Sequence, residues 1–123
     1  MARRHGRLKQ TISVTAGATN GQTVIGFILP FGCKLDRIDV IQVTAGTGTG
    51  TFSLLVEEFT TGTDLTDSLT AVDADSAAET FHGTLNANSV SISGDRLLLA
   101  TNTTKTGTVS ASPVMAFDIY FYM

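Results

Sequence analysis

A chain of 123 residues makes one ordinary domain and can bury roughly two-thirds of its unfolded surface without metals or disulfides. An apolar share of 42%, a charged share of 15% and a mean hydropathy of +0.20 exclude a disordered polyelectrolyte. The net charge of −3 conceals an asymmetry: residues 1–9 hold four of the eight Lys and Arg, and the other 114 residues carry four bases against eleven acids, a net of −7.

The chain therefore opens on a basic arm, Met1 to Lys9, carrying Arg3, Arg4, His5, Arg7 and Lys9, followed by an acidic body at residues 10–123. Such an arm lies in a groove, on a neighbouring subunit or on an anionic partner; the competing reading is a frayed, solvated terminus. The charged start has no apolar stretch behind it, so a signal peptide is not expected. Later apolar runs are too short to span a bilayer, so no membrane partner is expected.

With 20 Thr and 12 Gly but no Trp and two Pro, the chain is built for strands and turns. Threonine, valine and isoleucine are stiff at χ1 and suit a pleated surface, and glycine serves tight turns. Leu8 to Val14 alternates, with Leu8, Gln10, Ile12 and Val14 on one face. Asn20-Gly21 closes the next turn and is a hairpin signal. Val24 to Leu29 is almost continuously apolar, as in a strand covered on both faces, and Pro30-Phe31-Gly32 ends it.

Cys33, the single cysteine, excludes an internal disulfide and a cysteine-based zinc site. It reads as a buried inert thiol, since a nucleophile needs a base and only His5 and His82 are present. A chain without structural disulfides suits synthesis in a reducing compartment such as a bacterial cytoplasm.

From Leu35 to Val43 the apolar positions switch from odd to even, which predicts a bulge or a strand crossing a sandwich edge. Gly46-Thr47-Gly48-Thr49-Gly50 is superficially like a phosphate-binding loop. It lacks the following Lys-Ser or Lys-Thr, and Thr51 to Phe59 reads as a strand rather than a helix, so a hairpin turn is preferred. Within that strand Phe52, Leu54 and Val56 face one way, while Ser53, Leu55 and Glu57 face the other.

Residues 60–79 read as a long acidic loop with one short turn at Ser76 to Thr80. Its Asp73-x-Asp75 could offer oxygen ligands to calcium, but EF-hand spacing is absent and a solvated loop is the simpler reading. Further strands are predicted at Thr80 to Leu85, Ser89 to Ser93 and Arg96 to Thr101, with Asn102 to Gly107 as a loop. The last element, Val109 to Met123, puts Met115, Phe117, Ile119, Phe121 and Met123 on one side, and a strand so apolar belongs inside a sheet.

About eight short strands with turn residues between them predict an all-β, single-domain antiparallel β-sandwich. Jelly-roll topology is favoured over immunoglobulin-like, which would call for a core Trp and paired Cys. His82 has no second His, Cys or Glu at metal spacing, so a structural or surface role is expected. No nucleophile elbow or Ser/His/Asp set is present, and no enzyme, cofactor or metal is expected. Nucleic acid is disfavoured, because the arm has no interleaved aromatics and the body is acidic.

Over nearly its whole length the chain resembles the small jelly-roll decoration, or cement, proteins of tailed-bacteriophage capsids. The likeness is carried by Arg3-Arg4-His5-Gly6-Arg7, the strand Thr23 to Pro30, Lys34-Leu35-Asp36-Arg37-Ile38, Ser93-Gly94-Asp95-Arg96-Leu97 and the aromatic end Phe117 to Phe121. The resemblance implies a homotrimer on three-fold or quasi-three-fold positions of the capsid exterior, bound to the major capsid protein and stabilising the shell. It further implies that the arm, Arg3, Arg4, His5, Arg7 and Lys9, reaches onto the shell. Segments of this style also occur in other virion proteins. A receptor- or glycan-binding head-fibre or spike tip using Thr60 to Ala78, and a head–tail connector or tail component, therefore remain open alternatives.

Overall fold

The structure, a computed structural model, describes residues 8–15, 20–29, 33–87 and 97–122. Eight strands are present: β1 (Leu8–Thr15), β2 (Gly21–Leu29), β3 (Lys34–Thr44), β4 (Thr51–Glu58), β5 (Leu69–Asp73), β6 (Phe81–Asn86), β7 (Leu97–Thr106) and β8 (Val114–Tyr122). No helix occurs among the described residues, and residues 76–80 hold hydrogen-bonded turns instead. The strand expected at Ser89 to Ser93, the turn residues 16–19 and 30–32, and Met123 lie outside the described residues.

Two antiparallel four-stranded sheets form, ordered β1-β8-β3-β6 and β2-β7-β4-β5. The pairs β1–β8, β2–β7, β3–β6 and β4–β5 are those of one long hairpin folded back on itself and rolled into two layers. This is the jelly roll. Among consecutive strands only β4 and β5 pair with each other.

Alternation decides which side chains meet between the layers. In β8, Met115, Phe117, Ile119 and Phe121 point inward and are buried, while Ala116, Asp118, Tyr120 and Tyr122 stand on the outer face, half-buried. β8 lies between β1 and β3, the interior position its apolar sequence demands. Phe52, Leu54 and Val56 of β4 and Leu99 of β7 close the same core from the other sheet. Thr101 and Thr103 are also buried there, and β7 continues to Thr106, so Asn102 to Thr106 is strand rather than the expected loop. Threonine's branched Cβ packs inward as valine would, and its hydroxyl finds a local acceptor: Thr101 Oγ1 donates to the Thr23 carbonyl at 3.4 Å.

Three further expectations are corrected. Neither Asn20-Gly21 nor Gly46 to Gly50 makes a hairpin, because each leads from one sheet to the other. The Gly-rich segment crosses hard against residues 108–111. A Cβ on Gly48, whose φ is +114°, would lie 2.3 Å from the Thr108 carbonyl oxygen, and one on Gly46 would lie 2.4 Å from that of Ala111. Close backbone approach accounts for both glycines, joined at Gly48 by its positive φ.

β2 is an edge strand, and only Ile25, Phe27 and Leu29 turn toward the core. Val24 and Ile28 on its other face are 42% and 47% exposed rather than covered. Residues 60–79 are not one loop: they contain β5 and isolated bridges from Asp64 to Glu57 and from Thr66 to Ala87. The phase change in β3 is a bulge, as its pattern predicts, with register shifts between Leu35 and Arg37 and between Gln42 and Thr44.

Candidate functional site

The outer face of the first sheet is ordered row by row, because the strand register sets side chains of all four strands abreast. One row holds Thr11, Asp118, Asp39 and Thr84. The two carboxylates are cross-strand partners, an unfavourable placement of like charges. Each is relieved by a hydroxyl from the flanking strand, Thr11 Oγ1 donating to Asp118 at 2.6 Å and Thr84 Oγ1 to Asp39 at 2.7 Å. The adjacent row holds Lys9, Tyr120, Arg37 and Asn86. The Arg37 guanidinium lies 4.0 Å from the Tyr120 ring centroid, and the Lys9 ammonium 6.0 Å. Arg37 also pairs with Asp36 at 3.1 Å and approaches Asp39 at 3.7 Å. Beyond it Lys34 stands opposite Tyr122. Lys9, Lys34 and Arg37 thus collect beside both tyrosines, at the end of the sheet where residue 8 enters β1.

Of the arm residues singled out from sequence, Lys9 is therefore a strand residue on a cationic, aromatic stretch of this face. Arg3, Arg4, His5 and Arg7 lie outside the described residues. Tyr120 and Arg37 were not singled out. Their signal was the outward alternation of β8, legible only once register sets the two side by side.

Other sequence candidates fall into structural places. Cys33 is buried at the start of β3. His82 Nε2 donates to Oε1 of the buried Gln42 at 2.5 Å, and burial pushes its pKa below the ordinary histidine value, with Asp73 opposing. In the acidic segment Asp67 accepts from the Asn86 backbone N–H at 2.9 Å, and Ser76 caps the Asp73 carbonyl. Among the described residues no group of three or more His, Cys, Asp or Glu is placed to hold a metal ion. Among the described residues no helix is long and apolar enough to cross a membrane.

The second sheet presents a different outer face. Glu57 is buried there, and its two oxygens accept from Gln22 at 2.6 Å and Asn102 at 3.3 Å, so neutral amides hold the carboxylate. Beside it Val24, Ile28 and Phe59 are exposed. A shallow depression lined by Ser53, Leu55, Ser68, Asn102 and Thr104 continues this face.

No protein-family model and no curated protein matches the chain. Solved structures do. A chain of the capsid asymmetric unit of cyanophage Pam1 superposes with a TM-score of 0.58 at 14% identity, covering 100% of this chain and 90% of that one. A chain of the Ralstonia phage GP4 capsid gives 0.57 at 13% identity, covering 98% and 86%. A chain of the acid-stable capsid of Helicobacter pylori bacteriophage KHP30 gives 0.53 at 16% identity, covering 94% and 89%. This jelly roll occurs in phage capsids. At such identities the likeness is one of fold, and the jelly roll here displays its own two outer faces.

Proposed function

We propose that the chain is a structural virion protein that binds the outside of a phage capsid and stabilises it, working by contact rather than catalysis. The observation that carries this reading is the jelly roll shared, over nearly the full length, with chains of three phage capsid structures. Attachment of this kind needs broad complementary surface and many copies, since multivalency compounds modest individual contacts. The chain's partner is the major capsid protein, its assembly a homotrimer on three-fold or quasi-three-fold positions, and its site of synthesis the host bacterial cytoplasm. Residues 1–9 act as the arm that reaches the shell, its last two residues already paired in β1, and the sandwich that carries it takes up the rest of the chain to residue 123. Arg3, Arg4, His5, Arg7 and Lys9 meet acidic shell surface, a reading supported by the net charge of the first nine residues against an acidic body.

Titrating full-length and arm-deleted protein onto undecorated capsids tests this. Deleting residues 1–7 is expected to weaken binding about tenfold or more and to flatten its salt dependence. Equal binding by both forms removes the arm from the account. Binding of the isolated protein to host cells or glycans would point to a spike tip instead, and a native mass of a large ring to a connector.

A further inference from the structure

The outer face of the first sheet is complementary to itself. Its cationic row (Lys9, Tyr120, Arg37) and its carboxylate row (Asp118, Asp39) lie side by side across the strands, two residues and so roughly 7 Å apart. A two-fold axis running between the rows, across the strands and in the plane of contact, lays each row of one copy over the opposite row of the other. Arg37 then faces the carboxylates of the second copy, and by symmetry the reverse holds, as an isologous interface requires. The same operation lays the row of Tyr122 and Lys34 over the partner's row of Ala116, Ile41 and Phe81, with Tyr122 on Ala116 and Lys34 on Ile41. Phe81, at 58% the most exposed large apolar side chain among the described residues, lies at the β6 edge of that overlap. Tyrosine and arginine are the side chains enriched where interfaces hold most tightly.

We propose that this face is a docking surface for a second copy of the chain, forming a two-fold, sheet-to-sheet contact. The residues retain capacity for it. A guanidinium has five N–H donors, of which the ion pairs to Asp36 and Asp39 use two, and each Asp carboxylate has several acceptor positions beyond the one its threonine fills. The alternation of sign selects against a polyanion such as nucleic acid, whose uniform charge would meet the carboxylate row as soon as it met the cationic one. The contact stands without the attachment reading. Combined with it, a two-fold contact would join chains seated around neighbouring three-fold positions into a continuous net.

The test is the mass of the full chain in solution as a function of concentration, with Arg37→Asp and Asp39→Arg as variants. Wild type is expected to double its mass reversibly, more weakly as salt rises. Each single variant sets like charges against each other where residues 37 and 39 of the two copies meet, and should raise the dissociation constant about tenfold or more, like charges across an interface being costly. Mixing the two variants restores opposition in both row pairs, so the mixture should associate as a heterodimer with close to wild-type affinity. A fold-integrity check by circular dichroism separates misfolding from lost contact, and restoration by mixing cannot come from misfolded chains. The proposal is overturned if wild type does not double, if the single variants associate as well as wild type, or if mixing folded variants restores nothing. Salt-sensitive nucleic-acid binding by a chain that does not self-associate would overturn it too.

Discussion

Gly48 shows how a single position can be held by both its dihedral angle and its neighbours. Its φ of +114° lies where a side chain is strained, and an added Cβ would stand 2.3 Å from the Thr108 carbonyl oxygen. Gly62 has a φ of +71° but open space around it. Gly48→Ala should therefore cost about 2–3 kcal/mol, from strain together with displaced backbone, whereas Gly62→Ala should cost about 1 kcal/mol from strain alone. Urea unfolding of both variants checks the difference; equal midpoints would mean that the crossing at residues 46–50 is looser than described. His82 supplies a pH dependence of known sign. Burial lowers its pKa below 6.5 in the fold, partly offset by Asp73. As pH drops through about 6.5 the unfolded chain then binds more protons at this site than the folded one, so stability falls until the folded histidine is protonated too, and it is level in this respect well above 6.5. His82→Gln, which keeps an amide donor toward Gln42, should flatten that slope in melts taken across this range.

At the level of strands, legibility followed how far the apolar pattern kept its period. β8 and β4 alternate without interruption, and both their inward faces and the interior placement of β8 could be read directly. Ile119, fully buried in the middle of β8, is a sensitive probe of that placement. Ile119→Ala should cost about 3–4 kcal/mol in urea unfolding, and a loss under 1 kcal/mol would place it at the rim of the core. β5 could not be read. Leu69 and Val72 are three apart, and the strand carries a register shift and a positive φ of 58° at Ala71, so no two-residue period survives. β7 was read too short, because threonines that pack inward look like loop residues when hydropathy alone is scored. Both supposed hairpins failed for one reason: turn chemistry is local, whereas jelly-roll topology sends almost every consecutive strand to the opposite sheet. The outer-face rows were the least legible, since they depend on register across four strands distant in sequence.

For the whole molecule, charge and fold point the same way. Lys9, Lys34 and Arg37 gather at the end of the first sheet where β1 begins, and the sequence before β1, residues 1–7, carries three further arginines. Seven of the eleven acids fall within residues 57–79, on and after β4. Such a distribution sets a basic N-terminal segment against an acidic body, whose net negative charge limits non-specific adhesion. The jelly roll provides a rigid body with two outer faces, and the same fold occurs in chains of phage capsid structures. The most direct measurement is a cryo-electron image reconstruction of the intact particle at side-chain resolution. The account predicts this eight-stranded sandwich on the outer surface of the shell, clustered around three-fold or quasi-three-fold positions, with residues 1–9 running onto the major capsid protein. Density for the chain in the continuous shell itself, at the tail, or at the tip of a fibre would contradict it.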